Sequence, residues 1–265
     1  MNKEMIKLPE ELFDHTPLEP IKVFDNLYCI GTRSVAVWVI KTSEGIILID
    51  SMWSNGDAQL IINDMKKLNL NPHEIKYIII THGHRDHYGG AQFIKDNYKA
   101  KIIMSETDYN FMNASNSREN RYKSPSCSVD IIIKDGEKIQ LGHTTVTIVE
   151  TPGHTPGCVS LIFPVKQHGK IYNVAQWGGL GIPNNLEEKI KYRKSIDYFE
   201  KHTQEQKVSV EITAHLFCEN GYSKLESVRN NKANPFIIGE IGMKSYFNNL
   251  RKEVDYSISK QMVEE

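Results

Sequence analysis

The chain has little cysteine and no cysteine pair. Four cysteines in 265 residues, at positions 29, 127, 158 and 218, form no C-x-x-C motif, which excludes a disulfide framework as the basis of the fold. They read as reduced thiols with packing roles. Long apolar runs are also absent. No stretch approaches the roughly 20 residues that span a bilayer, so no membrane is expected as a partner. The first twenty residues, MNKEMIKLPEELFDHTPLEP, hold no apolar core of signal-peptide length. The expectation is a cytoplasmic protein, although a secreted form whose leader has been removed is compatible with the same sequence. Nor is there an excess of one charge: Lys and Arg number 32 and Asp and Glu 33, for a formal net charge of -1. That balance supplies no field for nucleic acid or an anionic surface. Without repeats, low-complexity tracts or Pro/Gly linkers, residues 1–265 read as one domain. The oligomeric state is not legible.

Hydrophobic residues make up 40% of the chain, enough for a substantial core. Short apolar segments alternate with amphipathic ones. Strands are predicted over 21–25 and 27–31 as a hairpin, then over 35–41, 45–50, 77–80, 101–104, 129–134, 138–141, 144–150, 159–163, 170–175 and 208–214. Asp135-Gly136 reads as a hairpin turn. Helices are predicted over 57–68, 90–98, 105–113 with Ser105 as N-cap, 186–202, 224–230 and 239–261. Residues 114–128, rich in Asn and Ser, read as a loop. The order implies an α/β fold of two sheets covered by helices.

The stretch that demands a chemical explanation is IIITHGHRDHYGG, residues 78–90. His82 and His84 are two apart, so a strand continuing briefly past Ile80 would send both to the same face. Asp86 and His87 follow where Gly89-Gly90 lets the chain turn. Burying several imidazoles and a carboxylate with no compensating ion is costly. Imidazole with carboxylate suits zinc best, ahead of iron and manganese. Four such groups crowd one tetrahedral ion, and two ions share them more easily. His154, in ETPGHTPGC, sits in a loop stiffened by Pro152 and Pro156 just past a strand, and His215, in VEITAHLFC, ends another. Three strand ends each bearing histidine match the edge where open α/β sheets place their sites.

These motifs resemble the metallo-β-lactamase superfamily. THGHRDH is similar to that family's H-x-H-x-D-H motif, TPGHTPG to the loop of its next histidine, and ITAHLF to its last. LIDSMW and NPFIIGEIGMKSYF agree. The resemblance implies an αββα sandwich and a dinuclear zinc site, with His82, His84 and His154 on one ion and Asp86, His87 and His215 on the other. It implies hydrolysis of an amide or ester-like bond in a small molecule by a metal-bound hydroxide, with Asp86 orienting the water as well as binding metal. Asp50 is implied to position a ligand or its loop, with a helix- or turn-capping aspartate as the alternative.

One departure narrows the branch. Most branches place a bridging aspartate between the fourth and last histidines, but no aspartate occurs here between His154 and Asp197, and Asp197 lies inside a predicted helix. No cysteine stands there either. The pattern therefore resembles the third subclass of metallo-β-lactamases and their uncharacterised relatives. The expected enzyme is a zinc-dependent hydrolase favouring a β-lactam-like amide, with a lactone or thioester hydrolase as the alternative. A di-iron oxidoreductase would place glutamate where His84 stands, and a nuclease would need an inserted domain and a basic surface. Trp177-Gly178-Gly179 is either an apolar wall beside the metals or a core tryptophan with a glycine turn. Arg85, Asn220 and Tyr222 are candidates to meet a substrate carbonyl or carboxylate.

Overall fold

A computed structural model describes residues 8–117 and 126–264. Its first sheet has seven strands in sequence order: β1 (Ile21–Phe24), β2 (Leu27–Gly31), β3 (Ala36–Lys41), β4 (Ile46–Ile49), β5 (Ile75–Ile79), β6 (Lys101–Ser105) and β7 (Ile131–Ile133). The first four are antiparallel and the last three run parallel to their neighbours. The second sheet has five strands, in the order β12-β11-β10-β9-β8. They are β8 (Lys138–Leu141), β9 (Thr144–Glu150), β10 (Val159–Gln167), β11 (Lys170–Gln176) and β12 (Val208–Ile212).

The helices are α1 (Asn55–Lys67), α2 (Arg85–Tyr88), α3 (Ala91–Tyr98), α4 (Glu106–Ser117), α5 (Leu186–Glu205), α6 (Gly221–Arg229) and α7 (Gly239–Glu264).

The alternation of side chains along a strand explains the layers. Ala36, Trp38 and Ile40 of β3, with Ile47 and Ile49 of β4, point between the sheets, where they meet Val146 and Ile148 of β9 and Leu161 and Phe163 of β10. The intervening Val37, Val39, Ile46 and Leu48 face outward onto Ala58, Ile61, Ile62 and Met65 of α1. On the far side, Val149, Ile162 and Val208 face Tyr192, Ile196 and Phe199 of α5 and Phe247 and Leu250 of α7. Strands β3 and β4 are thus covered on both faces, which is why they read as unbroken apolar runs. The result is the expected αββα sandwich.

Most expected elements are present with shifted ends. The strand over 77–80 begins at Ile75 and the helix over 57–68 begins at Asn55, where Ser54 accepts the Asp57 N–H. Ser105 caps α4 as expected, accepting the Asp108 N–H at 3.2 Å.

Two expectations are corrected. Residues 114–117 continue α4 rather than opening a loop, while 118–125 of the expected loop lie outside the described residues. Asp135-Gly136 is not a hairpin turn: β7 pairs with β6 and β8 with β9, so the turn carries the chain from one sheet to the other. A turn signal reports a local reversal; the pairing partner is chosen by the sheets. No described helix is long and apolar enough to cross a membrane.

Trp38 is fully buried between the sheets, its indole N–H donating to the Thr213 carbonyl at 2.9 Å and its ring edge-on to Phe236. Trp38→Ala is expected to destabilise the metal-free protein by about 3–5 kcal/mol, the usual cost of truncating a buried aromatic, as read from urea denaturation.

Candidate metal centre

Every chemically notable histidine follows a strand. His82 and His84 lie in the bend between β5 and α2, Asp86 and His87 on α2, His154 after β9 and His215 after β12. The edge shared by the two sheets thus collects groups from three distant segments. Two sets form, His82, His84 and His154 in one and Asp86, His87 and His215 in the other, with the donor atoms of each within 4.8 Å of one another. In the first, Nδ1 of His84 stands 3.0 Å from Nε2 of His154, and the three ring centroids are 4.6–4.9 Å apart. In the second, Asp86 Oδ2 lies 3.2 Å from His87 Nε2 and 3.5 Å from His215 Nε2. The sets share a wall, because the rings of His82 and His87 are 3.9 Å apart.

The ring orientations have a common cause. The Nδ1–H of His87 donates to Asp50 at 2.8 Å, that of His154 to the Gly181 carbonyl at 2.7 Å and that of His215 to the Ser34 carbonyl at 2.9 Å. His82 Nδ1 lies 3.1 Å from the Thr81 hydroxyl, which itself donates to Asp50. Asp50 directly follows β4 in the left-handed region, φ 66°, a conformation a short aspartate tolerates. With Nδ1 tied outward, Nε2 turns inward in these four rings.

Among the described residues, the Nε2 atom of His82 is buried with no hydrogen-bond partner, and that of His87 faces the Asp86 carboxylate at 3.2 Å. Orphaned buried nitrogens are rare, and imidazoles held by an outer hydrogen bond are how proteins present metal ligands. The donor set fits divalent cations.

Charge follows the same logic. Burial together with the cationic form of its neighbours holds His82 well below the usual imidazole range, and burial with His84 holds His154 down at about 3. Burial lowers His84 and His215 as well. Neutral imidazoles have a lone pair to give. His87 is the exception: burial opposes its charge, yet Asp86 and Asp50 push it up to about 10. Burial likewise opposes the charge of Asp86, but His87, His215 and His84 hold its carboxyl well below the usual carboxylate range.

The sequence matches the model of the Metallo-beta-lactamase superfamily over residues 30–167. The chain belongs to this superfamily. Among solved structures it is similar to BJP-1, a subclass B3 metallo-beta-lactamase of Bradyrhizobium japonicum, at 28% identity and TM-score 0.83, covering 96% of this chain and 98% of that one. It is also similar to the native FEZ-1 metallo-beta-lactamase from Legionella gormanii, at 27% identity and TM-score 0.84, covering 93% and 98%. Among curated sequences it is 30% identical over 133 residues to the hydroxyacylglutathione hydrolase GloC of Haemophilus influenzae, covering 48% of this chain and 60% of that protein. The N-acyl homoserine lactonase of Bacillus thuringiensis is 32% identical over 165 residues, covering 52% and 62%. The chain spans about half the length of the curated relatives it matches.

Within this superfamily chain, the stretch after β11 resolves two open readings. Trp177 is a core residue, packed on Phe199 and donating its indole N–H to Tyr192 at 3.0 Å. The glycines, not the tryptophan, meet the site: a methyl at residue 179 would fall 2.5 Å from the His154 ring. Asp197 lies on the exposed side of α5, paired with Arg193 and Arg251.

Two of the three substrate-contact candidates have protein partners for their side chains. Arg85 lies over the Trp53 ring, Tyr222 donates to the Arg33 carbonyl, and Asn220 precedes α6 in the left-handed region. The sequence reading missed Thr81, Ser34 and Gly181. Thr81 adjoins His82 and was findable there, but Ser34 is 181 residues from His215, so no local signal pointed to it.

Gly179→Ala is expected to displace the His154 ring while leaving the helical and strand content unchanged. Divalent-metal affinity, followed by calorimetry, should fall at least roughly tenfold, as when an outer partner of a metal-ligating histidine is lost.

Proposed function

We propose that this chain is a dinuclear zinc hydrolase that cleaves an amide of the β-lactam type. The observation that carries the proposal is the pair of donor sets sharing one wall, with Nε2 of His82 buried and unpartnered. In this reading His82, His84 and His154 hold one ion and Asp86, His87 and His215 the other. Bound there, the two cations would supply Lewis acidity, making water nucleophilic near neutral pH and polarising a carbonyl.

The protein's own contribution is preorganisation. Asp50, Ser34 and Gly181 fix the rings before substrate arrives, so little reorganisation is needed during reaction. Asp86 Oδ2, between His87 and His215, carries the one carboxylate charge of the inner donors and is placed to orient a water. His84, His154 and His215 are half-buried while His82, Asp86 and His87 are buried, so a small substrate approaches the former three.

Similarity to subclass B3 metallo-beta-lactamases over nearly the full length of both chains supports the lactam. The absence of aspartate between His154 and Asp197 agrees with that branch. A lactone or thioester is the second reading, favoured by sequence similarity to a homoserine lactonase and a hydroxyacylglutathione hydrolase.

Zinc-loaded protein is expected to turn over nitrocefin or imipenem, to lose that activity on chelation and to regain it with added zinc. His84→Ala should cost more than about 100-fold in kcat/KM, above the range for losing an outer partner of a ligand. Turnover of lactones or thioesters with none of lactams would select the second reading. Full activity after stripping the metal would end both.

A further inference from the structure

We propose that Asp108 is the positioning residue that sets the geometry of the first donor triad, and of that triad alone. The inference rests on reading His82, His84 and His154 as ligands of one ion. These histidines come from different sheets: two follow β5 in the first and one follows β9 in the second. Asp108, in the first turn of α4 and fully buried, joins them. Its Oδ2 accepts the N–H of Gly83, the residue between His82 and His84, at 2.6 Å, and the hydroxyl of Thr155, the residue after His154, at 2.6 Å. Its Oδ1 accepts the Gly157 N–H at 2.6 Å. Ser105 closes the frame by donating to the Gly157 carbonyl at 2.6 Å. Both loops lie too close to α4 for a side chain: a methyl at 83 would fall 2.9 Å from the Asp108 carbonyl oxygen, and one at 157 would fall 2.6 Å from its backbone nitrogen.

The second triad is supported differently. His87 leans on Asp50 and His215 on the Ser34 carbonyl. Asp50 reaches both triads, directly through His87 and by way of Thr81 to His82, so it cannot adjust one ion without the other. The hydrogen bonds of the Asp108 carboxylate go to the two loops that carry the first triad. Losing it therefore loosens the distance between the His82–His84 bend and the His154 loop, while the second triad keeps its supports.

The test is zinc titration of the chelator-stripped full chain in two backgrounds. His215→Ala leaves the first triad whole, and His84→Ala leaves the second whole. Adding Asp108→Ala or Asp108→Asn is expected to weaken zinc binding roughly 10- to 100-fold in the His215→Ala background. In the His84→Ala background the loss should be clearly smaller, because none of the carboxylate's hydrogen bonds reaches Asp86, His87 or His215. An equal loss in both backgrounds would mark Asp108 as a general structural residue, and no loss in either would show that the loops hold themselves. Both results overturn the proposal.

If the Asp108 variants fail to fold, Thr155→Val decides. It removes one of the three hydrogen bonds, so it should give a smaller loss confined to the His215→Ala background, recovered by Thr155→Ser. A loss in the other background, or none, overturns the proposal. Failure of both backgrounds to take up zinc with Asp108 intact is a separate result. It would remove the two-ion reading itself, and this inference with it.

Discussion

The structure is organised around a cluster of buried imidazoles, one of which, His82, has an inner nitrogen with nothing in the protein to bond to. An unpaired polar group in a dry setting costs about 1–3 kcal/mol, and His82 Nε2 is one. Those rings do not rotate to satisfy themselves because their outer nitrogens are already held. Asp50 holds His87 and, through Thr81, His82. The backbone carbonyls of Gly181 and Ser34 hold His154 and His215. The arrangement has the form of a site built to be completed by cations.

The sandwich exists to bring these supports to one edge. Each sheet has apolar residues on both faces, with one core between the sheets and one under each helical layer. That leaves the strand ends as the place where polar groups can gather without burying unpaired backbone. His82 comes from the end of β5, Asp50 from β4, His154 from β9 and His215 from β12. The electrostatic pattern follows from the crowding: imidazoles depress one another's charged forms, while two carboxylates act on His87 from either side.

Much of this was legible in the sequence. The apolar runs of β3 to β5 announce strands covered on both faces. Ser105 announces the start of α4, and the spacing of His82, His84, Asp86 and His87 announces a concentration of donors at a strand end. Other features were not legible because they depend on contacts between distant segments. The turn at Asp135-Gly136 has the same residues whether it joins strands of one sheet or passes between two. Trp177 is apolar and aromatic whether it lines a cleft or fills a core, and only the presence of Tyr192 and Phe199 beside it decides.

By itself, then, the sequence determined the kind of layers, the approximate places of the elements and the residue types available for chemistry. Side-chain periodicity and donor character are local properties. Tertiary structure alone decided which donors share a set, which nitrogen of each ring faces inward, and that Asp108 ties a loop of one sheet to a loop of the other. Those outcomes are set by distances of 2.6–3.1 Å between residues as many as 181 positions apart, and a chain has no such distances until both sheets have packed.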